Sequence, residues 1–192
     1  PVAWLVLVIF GFQIGMSFAQ IYGEQLRYQD MGYDLWSVTT GVYTGMRGIL
    51  PPIQRYIYLY IPLITMGLMS REYQSGSIKL LYSSPVKNTS IIMGKFLSMM
   101  VYGVVLIGVL GVFVIFSAIT IVNFDYPLVL SGMLGLYLLI LAYSAIGLFM
   151  SSITKYQVVA AIGTLAVLAV LNFIGDVGQD YDLVRHITYW LS

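Results

Sequence analysis

Five charged side chains, Arg71, Glu72, Lys79, Lys87 and Lys95, gather in the 25 residues REYQSGSIKLLYSSPVKNTSIIMGK, between long uncharged apolar stretches. Four bases and one acid suit ion pairing and docking rather than bond-making. A nucleophile needs an adjacent base or a depressed pKa, and no nucleophile–base pair or metal-ligating cluster stands out anywhere in the chain. Cysteine is absent, which removes disulfides and thiolate-held zinc or iron–sulfur sites. His186 is the lone histidine and reads as an interfacial or packing residue. The expectation is a chain that is no enzyme, with no catalytic residue, no metal site and no cofactor of its own. A formal charge of +1 gives no reason to expect nucleic acid, because the distribution of charge matters more than its sum. Each island charge placed at mid-bilayer would cost about 2.5–3.5 kcal/mol, so the island belongs in water or at the headgroups.

The elements that position this island are apolar spans. Only 9% of the 192 residues are charged and 59% are hydrophobic, against about 25% charged in soluble domains. Runs at 2–19, 53–70, 96–122, 128–153 and 158–175 reach the ~18–20 residues that cross a bilayer. Lipid leaves backbone groups no outside partner, and the runs do not alternate as barrel strands do. The fold class is therefore all-α, a polytopic helical membrane bundle forming one transmembrane domain over 1–192. The spans are joined by a polar loop at 20–50, long enough for a helix of its own, and by the island at 71–95. Ser17-Phe18-Ala19 has the look of a signal-peptidase site, but the run before it lacks a basic leader.

Several residues within the spans have local readings. Arg55 lies near the start of the second run and can snorkel. Tyr56, Tyr58 and Tyr60 read as an aromatic belt, and Pro62 as a kink. The composition at 123–127, NFDYP, predicts a tight turn that makes the third and fourth spans antiparallel neighbours. Gly103, Gly108, Gly111, Gly132, Gly135 and Gly147, with the Ser131 to Gly135 spacing, predict close helix approach. Asn172 reads as an interhelical hydrogen-bonding group rather than a substrate contact. Within the island, 72–82 has helical spacing and Pro85 ends it. Asn88, Thr89 or Ser90 then caps a new helix that runs through Gly94-Lys95 into the third span. Asn88-Thr89-Ser90 is also a glycosylation sequon, here read as a cap. A bent element of this kind suits docking on a partner, and it equally suits an amphipathic connector on the membrane surface.

The string Glu72, Ser75-Gly76, Leu80-Leu81, Ser84-Pro85-Val86 and Gly94-Lys95 resembles the signature of ABC-2 type permeases. The likeness extends to 62–66, Ser151-Ser152 and 157–161, and is closest to the gliding-motility and nitrous-oxide-reductase-maturation branch. The resemblance implies a six-span permease, of which five spans are visible, with a bent cytosolic coupling helix after span 2. It implies pairing with a second permease copy, as homo- or heterodimer, and coupling to cytosolic ABC ATPase subunits through Glu72, Ser75, Gly76, Leu80, Leu81, Pro85 and Val86. A chain trimmed at both ends is expected, with a sixth span beyond Ser192. No G-x-x-x-x-G-K-[ST] occurs, so ATP and Mg are expected in the partner ATPase.

With the island cytosolic, its side holds Arg71, Lys79, Lys87, Lys95 and Lys155 against Glu72. The other side holds four arginines against seven acids. The positive-inside rule therefore places the N-terminus in the cytosol, and the resemblance implies the cell (inner, cytoplasmic) membrane. The function the resemblance implies is ATP-driven transport, expected in the direction of export. An ion-coupled transporter or channel is the alternative, although such proteins place ionisable groups within spans and 96–154 carries only Asp125. A non-transporting membrane scaffold is a further alternative.

Overall fold

A chain this apolar satisfies its backbone amides inside helices, since lipid supplies no partner for them. The computed structural model describes residues 2–30, 35–44, 48–77, 88–120 and 124–180, and the regular elements among them are all helices. In chain order these are α1 (Val2–Asp30), α2 (Leu35–Tyr43), α3 (Leu50–Thr65), α4 (Ser70–Ser75), α5 (Asn88–Thr120), α6 (Tyr126–Ile153) and α7 (Gln157–Asp180). Four of them are long and apolar enough to cross a membrane, over Val2–Ile21, Asn88–Ile119, Tyr126–Ile153 and Gln157–Ile174.

The second expected span, 53–70, is a shorter helix. α3 has 16 residues, about 24 Å at 1.5 Å per residue. Pro62 sits in its last turn rather than at a mid-span kink. The next amides close the helix, with Met66 N donating to Pro62 O at 3.0 Å and Leu68 N to Thr65 O at 3.0 Å. The first span is longer than its apolar run. α1 continues to Asp30 because residues 20–30 contain good helix formers and no proline, so the change to polar side chains gives the backbone no reason to stop. The expected helix within 20–50 is α2.

Pairings along the helices fix their directions. Tyr102 of α5 donates to the Ala3 carbonyl of α1 at 2.7 Å, and Phe116 stacks edge-on to Phe18 at 5.9 Å, so α1 and α5 run parallel. α3 and α6 are parallel too, with Leu50 packed at Gly132 and Thr65 at Gly147. α5 and α6 are antiparallel, as the turn composition predicted: Gly103 meets Ile140 and Gly111 meets Met133. Asp125 caps α6 by accepting from Leu128 N at 3.2 Å. α6 and α7 are antiparallel, Gly163 meeting Met150 and Asn172 meeting Tyr143.

The core lies where these helices converge. Ile53, Ile57 and Ile61, four residues apart on α3, are buried with Phe10, Ile14, Leu106, Leu110, Leu136, Ile140 and Leu168. α2 folds back onto this core: Tyr43 is fully buried, and its hydroxyl lies 2.8 Å from Ser117 Oγ of α5. The outward faces are apolar as well, with Trp4, Phe12, Ile119, Phe149 and Phe173 exposed, the pattern of helices whose solvent is hydrocarbon.

The tyrosines of α3 divide their work. Tyr56 is exposed, whereas the Tyr60 hydroxyl bonds Gln13 of α1 and its ring meets Phe10 edge-on at 6.1 Å. The glycines also divide. Gly147 and Gly132 stand at close helix crossings, but among the described residues nothing lies within 4 Å of a built Cβ at Gly108 or Gly135.

Candidate functional site

The expected coupling segment begins at an elbow where α3 stops, the chain turns through 66–69, and the six-residue α4 leaves in a new direction. So short a helix cannot hold itself, and the rest of the molecule holds it. Ser151, at the end of α6, accepts from Met69 N at 3.0 Å and Ser70 N at 3.2 Å, and donates to Met66 O at 3.1 Å. One hydroxyl thereby uses its donor and both acceptor positions, capping α4 from a different helix. Met69 and Leu148 are buried beneath it, packed by Leu68, Tyr73 and Phe96.

The second tie is ionic. Glu72 Oε1 lies 2.5 Å from Lys95 Nζ, and the same ammonium donates to the Leu68 carbonyl. The side chains are 31% and 17% exposed, so the pair is partly withdrawn from solvent. Glu72 Oε2 is buried without a hydrogen-bond partner. Lys95 can reach back because α5 starts at Asn88 and runs without a break through Gly94-Lys95, the continuous helix expected to begin near 88–90. Thus the first acid of the motif and its closing lysine, 23 residues apart, meet in space. A third, weaker tie joins Gln157 Nε2 of α7 to Gln74 Oε1 at 3.4 Å.

α4 consequently has two faces. Glu72 and Tyr73 turn inward; Arg71, Gln74, Ser75, Gly76 and Ser77 are exposed. Gly76 ends the helix with φ +73° and its N–H donating to Tyr73 O at 3.3 Å, a left-handed position that glycine occupies without steric cost. Ser75 Oγ lies 2.6 Å from Ser77 Oγ. Leu80, Leu81, Pro85 and Val86 lie outside the described residues. Of the expected site, then, Glu72 is an internal strut while Ser75 and Gly76 face out. Ser151 was legible only as part of a resemblance, and Lys95 only as half of its closing pair, where its charge opposite to that of Glu72 was the one signal.

Asn172 performs the interhelical role expected of it, donating to Tyr143 Oη at 3.0 Å and to Leu168 O at 2.9 Å.

A family model described as ABC-2 family transporter protein matches residues 2–179. The chain belongs to the ABC-2 transporter family. It is a multi-pass membrane permease, and members of its family work with cytosolic ATPase subunits. No curated protein and no solved structure matched it. In this ABC-2 permease the elbow is the place where an exposed surface is tied by separate bonds to α5, α6 and α7.

Proposed function

We propose that this chain is the membrane-spanning subunit of an ATP-driven exporter, and that the exposed face of α4 receives the stroke of a cytosolic ABC ATPase. The observation that carries the reading is the double anchorage of α4, through Ser151 to α6 and through Glu72 to Lys95 of α5. A displacement of α4 cannot be absorbed locally; it must move two long helices. Glu72 then couples by transmission, and Ser75 and Gly76 by contact, with Leu80, Leu81, Pro85 and Val86 extending the docking surface. ATP and Mg bind on the partner ATPase, and this chain performs no chemistry. Two permease copies, identical or not, enclose the path. The motif likeness favours the gliding-motility and nitrous-oxide-reductase-maturation branch.

The orientation proposed places the N-terminus and elbow in the cytosol and α2 outside the inner membrane, with α3 as a fifth crossing. The chain has no cysteine, so single cysteines at exposed Thr44 and Ser77 report directly. An impermeant thiol reagent applied to intact cells should label position 44 and spare position 77; the reverse pattern inverts the topology.

Docking is tested by Arg71→Glu with Ser75→Trp, changes on the exposed face that leave Ser151, Glu72 and Lys95 in place. Unpairing a charge at a desolvated interface costs a few kcal/mol, so ATPase co-purification should fall at least tenfold at about 1.4 kcal/mol per decade. Expression and detergent-solution size should stay unchanged. Undiminished ATPase binding and stimulation would remove the elbow as the docking surface.

A further inference from the structure

α3, α6 and α7 enclose an open cavity of about 740 Å³, within the roughly 300–1,000 Å³ of small-molecule sites. It lies toward the end of the bundle remote from the elbow, and neither the Ser151 clamp nor the Glu72–Lys95 pair touches it. Its lining is divided. Leu139 and Phe173 are apolar, while Gln54, Arg55, Tyr143 and Asn172 bring polar groups to the same space. Asn172 Nδ2 already donates to Tyr143 Oη, which leaves the phenol's own proton and the amide oxygen of Asn172 to meet an occupant.

Arg55 is the informative member. It is exposed, and no described acid forms an ion pair with it. The α3–α6 pairing sets its depth: Leu50 stands at Gly132 and Thr65 at Gly147, an offset of 82 residues, so Arg55 is level with residue 137. That is 11 residues into α6, which begins at Tyr126, about 16 Å along its axis at 1.5 Å per residue. A guanidinium this far along a lipid-embedded bundle must snorkel or find a counter-charge, and its planar fork matches a phosphate or carboxylate.

We infer that this groove is a binding site for an anionic lipid, its headgroup on Arg55 and Gln54 and its chain against Leu139 and Phe173. The charge selects the head and the apolar wall selects the tail, so neither a free anion nor a neutral lipid satisfies both. The site stands independently of ATPase docking.

Native mass spectrometry of the full chain in neutral detergent tests this, using phosphatidylglycerol and phosphatidylcholine of identical chains, with glycerol phosphate as the chainless anion. Phosphatidylglycerol should bind one per chain and about tenfold more tightly than phosphatidylcholine, and glycerol phosphate should not bind. Arg55→Gln should erase the tenfold preference. Gly135→Leu should abolish retention of both lipids, because position 135 lines the cavity and nothing lies within 4 Å of its built Cβ. Arg71→Gln, at the elbow, should leave the preference intact. Equal binding of the two lipids by the native chain, an undiminished preference in Arg55→Gln, or equal loss in Arg71→Gln overturns the site. So does glycerol phosphate binding as tightly as the lipid, or a Gly135→Leu effect confined to self-association, which would assign the groove to a second copy.

Discussion

Thr65 of α3 and Gly147 of α6 touch so closely that a Cβ at position 147 would stand 2.2 Å from Thr65 Oγ1 and 2.7 Å from Thr65 Cβ. Thr65 is fully buried, and its hydroxyl is committed to the Ile61 carbonyl at 2.9 Å, so it has nowhere to turn. Overpacking of this kind costs about 1–3 kcal/mol. Gly147→Ala should therefore lower the melting temperature in detergent, while Gly135→Ala, with open space at its built Cβ, should leave it unchanged or slightly raised. Equal behaviour of the two variants would refute the close crossing.

The Glu72–Lys95 pair separates internal from external roles. Glu72→Lys sets two ammonium groups against each other, and Lys95→Glu does the same with two carboxylates. Each single reversal should cost about 1–3 kcal/mol, between the values for exposed and buried pairs. The double reversal should recover only part of that stability in a thermal melt, because a carboxylate at position 95 cannot donate to the Leu68 carbonyl. ATPase co-purification should recover with it, since Glu72 faces Lys95; a double variant that is stable yet fails to bind ATPase would show that Glu72 also touches the partner.

Ser151→Ala removes a group that makes three hydrogen bonds, two of them to amides at the start of α4. The loss is about 1–3 kcal/mol if the amides stay buried. Hydrogen exchange should quicken at Met69 and Ser70 before any global change, and ATP hydrolysis should uncouple from transport. Unchanged protection at those two amides would mean that α4 is held by other bonds.

Gly76 separates conformation from contact. With φ +73° and open space around a built Cβ, its requirement is for backbone, not room. Gly76→Ala should destabilise the end of α4 by about 1 kcal/mol, and Gly76→Asn by less, because asparagine tolerates the left-handed region. Near-native ATPase binding in Gly76→Asn alongside a defect in Gly76→Leu would locate a steric contact at this residue; equal defects in both would attribute the effect to a contact that even asparagine cannot tolerate.

Much of this was legible in the sequence. The start of a new helix near 88–90 and its run through Lys95 followed from local chemistry, as did the antiparallel turn ended by Asp125. The all-helical bundle followed from hydropathy alone. Three features did not follow, each for a physical reason. α1 outruns its apolar stretch because backbone hydrogen bonding, unlike hydropathy, does not change at the membrane boundary. α3 stops at Thr65 although Leu68 and Met69 are apolar, because its end is set by the hydrogen bonds of the turn and by Ser151, which is more than 80 residues away. A single serine near the end of an apolar helix carries no local sign that its three partners lie on another element. The depth of Arg55 likewise depends on how α3 pairs with α6, which periodicity does not encode.

That parallel pairing has a consequence for the order of synthesis. Each bond that latches the turn and α4 to Ser151 joins residues 81 to 85 positions apart, so α3 and α4 leave the ribosome long before their clamp exists. Lys95 arrives sooner and supplies a provisional hold, but the amides at the start of α4 wait for the last turn of α6. Until then a shortened nascent chain carries an elbow that Ser151 has not latched, and on the proposed reading such a chain is not yet able to couple.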